Sequence, residues 1–520
     1  MFLCQPLLDV LIGRGIEDID GFVQVPSWSD LPDPMSIASM EKAVDRVLRA
    51  VKEGERIAIH GDYDCDGVLG THILRGVLAG LGGHARPYLP HRNEGYGLNS
   101  NAVHRFSKSG TDLLITVDNG INAQSAIRLA QRLGIEVIVI DHHRIQEAAD
   151  TLAIWSQDFC GAGLAAIFSW ALVLRAGWKD SRIERLLAGI SQYAAIASIA
   201  DCVPLRNGTR TWARLGMREL GRAEHCGLRE LLRISCSDPS SPDSYDIGFG
   251  VAPRINAAGR LDHPALALAV FNAALDQSAA GQAVQTLDRL NAERRRQVAV
   301  QFDELAGSLP NGTPAAIIAF RETCPRGIAG LLASKCVERY SVPSIVLTPA
   351  PDPEFVVGSG RSVPGLDLVE ALNPLKRLLT RFGGHAQAVG LTMPLEQVKA
   401  FEQQLNEAVG ALKLPRQIPV KAEAQLSLAM IGRNFDQQIA ALEPFGEGNP
   451  APVFGLRMVE IASVRNRWVR LRQGRHSVEV LCWDPLPSSG ARGDCLVEFR
   501  GKRRFLRAFR EQNQACAPAI

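Results

Sequence analysis

The chain has 520 residues, 46% of them apolar and 22% charged, with 47 glycines and a formal net charge of +2. That usage is ordinary for globular proteins and excludes a collagen, a coiled coil or a disordered polyelectrolyte, while the length asks for roughly three or four domains. The charge is uneven: Ala451 to Ile520 holds 13 Lys and Arg against 6 Asp and Glu, so a basic tail follows an acidic body, which suggests a polyanion partner.

The N-terminal stretch MFLCQPLLDVLIGRGIEDID has no basic lead and is soon broken by acids, so no secretory signal is expected. The longest apolar run, Gly161 to Leu174, is too short to span a bilayer and reads as a buried helix. A soluble, cytoplasmic protein with no membrane partner is expected. Eleven cysteines lie scattered without a CxxC pair and read as reduced and mostly buried, with Cys65 beside the motif residues.

From Lys52 to Asp141 strand and helix alternate: RIAIH, a helix from Gly67 to Leu81, LLITVD, a second helix, then VIVID. This predicts an α/β domain with a parallel sheet. The strands stop at acids. Arg56 to His60 runs into Asp62, Asp64 and Asp66; Leu113 to Val117 into Asp118; Val137 to Ile140 into Asp141, His142 and His143. Parallel strands end on one edge, where open α/β folds bind ligands, so the three clusters should converge. After Ala153 the chain is expected to turn helical, and a helix ending AAIASIAD places Asp201 at its terminus.

Helical patterns dominate from Gly216 to Leu305 and finish in a long polar-faced helix, LDRLNAERRRQVAVQFDELAG, suited to a strut between domains. A second α/β segment starts at Ala315, with AAIIAF and SIVLT as strands around the helix GIAGLLASKCVERY, and with GSGRS and RFGGHAQAVG as glycine-rich turns. Beyond Lys421, short strands carrying basic and aromatic residues predict a small β-barrel.

Carboxylates gathered within a few ångströms cannot all stay ionised unless cations lie between them. Acids with one or two imidazoles and no thiolate pattern suit Mn²⁺ or Mg²⁺. Two such ions can activate a water and stabilise the leaving oxygen of a phosphodiester, so phosphate-ester hydrolysis is the first expectation. A single DxD or DHH is more often a turn than a site; the order HGDYDCDG, TVDNG, IDHH, ASIAD changes that.

Those segments, with PHRNEGYGLN, FGVAPRINAAGRLDHP, LNAERRRQ, GSGRS, FGGHAQAVG and EPFGEGNPAPVF, resemble the DHH phosphoesterase superfamily and within it the RecJ family of bacterial exonucleases, which degrade single-stranded DNA from 5′ to 3′. The resemblance implies a parallel-sheet DHH domain and a DHHA1-like α/β domain joined by a long helix, facing each other across a cleft, with a C-terminal OB-like barrel. The corresponding boundaries are an N-terminal segment 1–45, DHH domain 46–215, helical connector 216–310, DHHA1-like domain 311–415 and OB-like domain 416–520.

It implies two ions held by His60, Asp64, Asp66, Asp118, His142 and Asp201, with Asp118 bridging and Asp62 adjoining. His143 would face the scissile phosphate. Arg92, Ser359 and Arg361 would hold a terminal 5′-phosphate, and Arg254, Asn256, Arg260 and His385 would lie near the cleaved linkage. Arg467, Trp468, Arg470, Arg472, Lys502, Arg503 and Arg504 would grip the strand, by charge and by stacking.

The chain departs from the family pattern where DHHRIQEAADTLAIWSQDFC runs straight into GAGLA, and at Gln387 and Val389. The implied protein is a monomeric enzyme of DNA repair and recombination, with a helicase and a single-strand-binding protein as further partners. The rival readings are a DHH-type phosphodiesterase for short oligoribonucleotides or cyclic dinucleotides, and a non-catalytic DNA-binding scaffold.

Overall fold

Apolar strands ending in acids build the first sheet of the computed structural model, which describes residues 2–147, 150–272, 276–309, 313–412, 414, 420–483 and 486–512. The strands are β1 (Ile57–His60), β2 (Ala85–Tyr88), β3 (Leu113–Val117), β4 (Glu136–Asp141) and β5 (Leu152–Trp155). All pair in parallel, in the order β2-β1-β3-β4-β5. β1 and β3 are buried throughout and β4 beyond Glu136, which explains their continuous apolar runs.

The two edge strands are the ones that pattern reading passes over. β2 reads ARPY, and its arginine and proline suit only an edge. β5 occupies the place where the chain was expected to turn helical after Ala153; the helix starts only at Gly161 and runs to Arg175, buried along most of its length. No helix among the described residues is long and apolar enough to cross a membrane.

The chain divides into two compact units, Met1–Asn256 with Pro264–Gln285 and Val420–Ile520, and Ala257–His263 with Thr286–Pro419. The expected boundaries at 45/46 and 215/216 fall inside the helices Met40–Glu53 and Asn207–Leu220, and those at 310/311 and 415/416 lie outside the described residues. The long helix expected between domains spans Gln277–Ser308, 32 residues.

The second unit carries β6 (Ile317–Phe320), β7 (Ser344–Pro349), β8 (Phe355–Arg361), β9 (Arg381–His385) and β10 (Ala388–Pro394), in the order β6-β7-β8-β10-β9. Here the expected glycine-rich turns are a correction: GSGRS lies mostly in β8, and RFGGH and AVG are strand, leaving only Ala386 and Gln387 to turn. Glycine fits inside β8 because neighbours cover the sheet there. A Cβ on Gly358 would lie 2.6 Å from Leu347 Cδ2, and one on Gly360 2.7 Å from Val389 Cγ2.

The C-terminal strands are β11 (Ala424–Gln425), β12 (Val453–Arg465), β13 (Trp468–Gln473), β14 (His476–Cys482), β15 (Arg492–Arg500) and β16 (Arg503–Glu511). The 13-residue β12 pairs with both β13 and β15, so the ring β12-β13-β14-β16-β15 closes into the expected barrel. Leu7, Val10 and Leu11 of the N-terminal helix Gln5–Gly13 share its core with Phe454 and Phe499. The two ends of the chain therefore complete one hydrophobic cluster.

Candidate active site

His60 ends β1, and the helix Cys65–Gly80 starts five residues later with Asp64 as its cap, accepting the amides of Asp66 and Gly67 at 3.1 and 3.2 Å. Asp66 reaches the start of the Gly161 helix, where its two oxygens accept the amides of Gly161 and Ala162 at 2.6 and 2.7 Å. Asp118 follows β3 with φ +63, and the chain opposite must be glycine: a Cβ on Gly161 would lie 2.5 Å from Asp118 Cβ. Asp201 caps the C-terminus of the helix Asp180–Ala200.

These segments meet at one edge. Ligand atoms of Asp118, His142 and His143, of Asp66, His142 and Asp201, and of Asp62, Asp64 and Asp118 form three groups, each within 4.8 Å. His142 Nε2 lies 3.2 Å from Asp118, 3.4 Å from Asp201 and 3.8 Å from Asp66. Burial, reinforced by the neighbouring acids, pushes the Asp62, Asp118 and Asp201 carboxyls well above their ordinary range, and burial also raises Asp66. So many acids driven upward together mark a place whose charge balance comes from cations.

Two buried atoms test that fit. Asp62 Oδ1 and His60 Nε2 have no hydrogen-bond partner. Asn119 donates its amide to the carbonyls of His60 and Val117, so its oxygen, 3.2 Å from His60 Nδ1, accepts the ring proton. That fixes the tautomer with a bare lone pair on Nε2, and burial lowers the imidazole to about 4, keeping it neutral. The donor set is oxygen-rich with neutral imidazole, as Mn²⁺ or Mg²⁺ requires.

Asp141 has a different task. It accepts the amides of Ile121, His142 and His143 and holds His143 Nδ1 at 2.7 Å. Burial would lower His143, yet the Asp141 contact outweighs it and raises this imidazole above its usual value. Tyr96 Oη lies within 3.1 Å of both His143 ring nitrogens and also donates to the Asp118 carbonyl. Trp155, in the shortened segment after the histidines, donates its indole N–H to the His143 carbonyl at 2.8 Å. Sequence reading missed Asn119, Tyr96, Asp141 as an anchor, and Trp155; only adjacency in TVDNG and IDHH hinted at the first and third.

The remaining expected residues divide between the units. Arg92 lies 4.0 Å above the Tyr63 ring, Arg254 donates to the Gly250 carbonyl at 2.9 Å, and Asn256 Oδ1 accepts the Cys65 amide at 2.7 Å. Asn256 thus touches the acidic loop directly. In the second unit Arg260 donates to the Gly327 carbonyl at 3.0 Å. Arg361 and His385 both sit opposite Ala388 in the sheet register, with Ser359 two residues before Arg361, so these three share one face.

On the barrel, Trp468 and Trp483 are 51% and 54% exposed and are not core residues, and the Arg467 guanidinium lies 4.2 Å over the Trp483 ring. A groove of about 490 Å³ beside Trp468 is lined by Ile431, Val478, Leu481 and Lys502 to Arg504. Its cations also have acidic partners. Lys502 holds Asp238 and Arg503 holds Asp246, each at 2.8 Å, while Arg504 holds Asp436 at 2.5 Å. Arg470 pairs with Glu479 at 2.7 Å, and Arg472 with Glu460.

Three family models match the chain: the DHH family N-terminal domain over 56–197, the DHHA1 domain over 312–411 and the RecJ OB domain over 422–483. The single-stranded-DNA-specific exonuclease RecJ of Dickeya dadantii is 31% identical, with 92% of this chain and 91% of that protein aligned. The Bacillus subtilis protein of the same name is 34% identical over 82% of this chain, which spans only 55% of its length. Crystal structures of Thermus thermophilus RecJ superpose with TM-scores of 0.79 for the Mn²⁺ complex, at 28% identity, and 0.74 for the Mg²⁺ complex, at 25%. Both alignments cover 97% of this chain, and 76% and 74% of the crystallised one. With three family domains in order and identity above 30% along nearly the whole length of a relative, the chain belongs to the RecJ family.

Proposed function

We propose that the chain is a metal-dependent exonuclease that hydrolyses single-stranded DNA from its 5′ end, with two Mn²⁺ or Mg²⁺ ions. The observation that carries this is the acidic edge itself, with three overlapping ligand groups around Asp118 and His142. His60 through Nε2, Asp64, Asp66, Asp118, His142 and Asp201 hold the ions, and Asp62 adjoins them. When bound, such ions make a water nucleophilic at neutral pH and take up the charge that grows on the leaving oxygen.

The chain's own groups do the rest. Asp66 is held by two backbone amides and Asp64 by two more, so both present fixed oxygens. His143, its Nδ1 anchored on Asp141 and its imidazole raised, donates a proton-bearing nitrogen to a non-bridging phosphate oxygen, where negative charge develops. In the first unit Arg254 and Asn256 orient the linkage and Arg92 binds a terminal phosphate; in the second unit Arg260, His385, Ser359 and Arg361 are its own substrate-contacting residues. The reading carries with it a monomer working in the cytoplasm in DNA repair and recombination, beside a helicase and a single-strand-binding protein that deliver its substrate.

Degradation of a long single strand, labelled at either end and phosphorylated at each end in turn, tests reaction, substrate and polarity together. With Mn²⁺ the 5′-phosphorylated strand should be shortened from that end, and its duplex should resist. Cleavage restricted to dinucleotides would replace this reading with a small-substrate phosphodiesterase, and binding without cleavage would replace it with a scaffold.

A further inference from the structure

Phe249 is 61% exposed on a π-helical turn, Asp246–Val251, that continues directly into the helix Ala252–Leu261. Such turns are rare and concentrate at functional places. The ring is held in place. It stacks on Tyr245 at 4.5 Å with 22° between the planes, and Tyr245 meets Phe505 of β16 at 5.6 Å. Guanidinium groups flank this column, Arg503 at 4.4 Å from the Tyr245 ring and Arg500 at 5.6 Å from that of Phe505. The turn is pinned to the C-terminal region: Asp246 holds Arg503 at 2.8 Å, Asp243 accepts the Lys502 amide at 2.9 Å, and Ser244 Oγ accepts the Phe445 amide at 3.1 Å.

A lone exposed apolar side chain means little in a soluble protein. Here the column begins at Phe505, a buried residue of the barrel strand β16, carries cations along its side and ends in an aromatic ring open to solvent. Its helix leads to the acidic edge, because Asn256, seven residues on, accepts the Cys65 amide inside the acidic loop. At 1.5 Å per residue that spacing is about 10 Å along the helix axis, a span of a few nucleotides. On its other side the turn abuts the helix that ends at Asp201, where a Cβ on Gly248 would touch Ile199 Cγ2 at 3.7 Å.

We propose that Phe249 is a stacking platform for an unpaired nucleobase of the strand held at the acidic edge, on the side leading to the barrel, an inference that rests on the exonuclease reading above. Every base has a π-face, so the contact is tolerant of sequence. A base inside a duplex is already stacked on both sides, so only an unpaired one can be taken. The ring touches no reacting atom, and its contribution belongs to substrate retention.

The test compares wild type, Phe249→Ala and Phe249→Trp with Mn²⁺ on 5′-phosphorylated single strands, both intact and carrying one abasic site placed at successive positions. Phe249→Ala should raise KM roughly five- to fifty-fold with kcat and melting temperature unchanged, and Phe249→Trp should restore it. Wild type should lose a similar factor when the abasic site occupies one particular register, and the alanine variant should be blind to that register. An unchanged KM for Phe249→Ala, or a raised one with the register dependence intact, overturns the platform while leaving the exonuclease reading in place. A wild type inert on every single strand removes both.

Discussion

At the edge of the first sheet, Asp66, Asp118 and Asp201 crowd around the His142 imidazole with Asp62 grouped beside Asp118, and burial drives all four carboxyls upward. At the seam between the barrel and the connector, Asp238 and Asp246 are also gathered, yet each has its own cation, Lys502 or Arg503, at 2.8 Å. There the Asp238 carboxyl is held down at about 2, chiefly by its hydrogen bond from Lys502. The residue types are the same and the outcomes are opposite. A fold can neutralise its own carboxylates with side chains, and where it leaves them facing one another the balancing charge comes from solution.

The largest break in that contrast is the loss of a central carboxylate. Asp118→Asn keeps the shape and the left-handed backbone, which asparagine tolerates, and removes one charge. Cleavage should vanish under any Mn²⁺ concentration. Without metal the variant should melt no lower than wild type, because a like-charge repulsion has gone. With Mn²⁺ at a hundred times its Kd, wild type should gain about 2.7 kcal/mol for each ion bound and the variant far less, measured by thermal unfolding. A variant that keeps both the gain and the activity would remove Asp118 from the metal site.

At the seam the effect is on stability. Arg503→Ala leaves Asp246, 1% exposed, without its cation, and should cost about 3–5 kcal/mol in denaturant unfolding. Glu443, buried beside Ser244, makes the seam pH-sensitive. Burial first, with Asp243 adding, pushes its carboxyl up to about 7, while hydrogen bonds from Ser244 and Phe445 oppose this. A raised folded-state value means that stability is fully present below the ordinary 4.5 and is lost as pH rises through about 7. Glu443→Gln keeps an acceptor for the Phe445 amide and cannot ionise. Its advantage over wild type should therefore grow by about 2–4 kcal/mol between pH 5 and pH 8. A gap that does not widen with pH would show that Glu443 is already paired.

The acidic edge was legible because three of its acidic clusters come after apolar strands, so one fact about parallel sheets brings Asp66, Asp118 and His142 together from far apart in sequence, while Asp201 comes from the end of a helix. What orients them was not. Asn119 and Asp141 sit inside the quoted motifs, but that they anchor histidines depends on where each amide or carboxyl finds backbone acceptors and donors. GSGRS looked like a turn because glycine punctuates turns, whereas here the neighbours Leu347 and Val389 leave no room for a larger residue within a strand. The ion pairs of the run Lys502 to Arg504 were not legible because its partners Asp238, Asp246 and Asp436 are 264, 257 and 68 residues away. Pattern reads local periods well and distant pairings hardly at all.

Lys502 carries the smallest expected effect and separates the two accounts of that run. Its side chain and that of Asp238 are 44% and 45% exposed, so the pair is screened by solvent, and Lys502→Ala should leave the denaturation midpoint at pH 7 within experimental error. The informative measurement is single-strand binding against salt. A lysine that neutralises a phosphate releases a counterion, and its removal lowers the slope of log K against log[salt] by about 0.7 on a single strand. Because Lys502 also donates to the Ser241 carbonyl at 2.9 Å, its ammonium is held on the connector and the slope should not change. A slope reduced by about 0.7 would mean that the strand outcompetes Asp238, and that this end of the seam opens when DNA is bound.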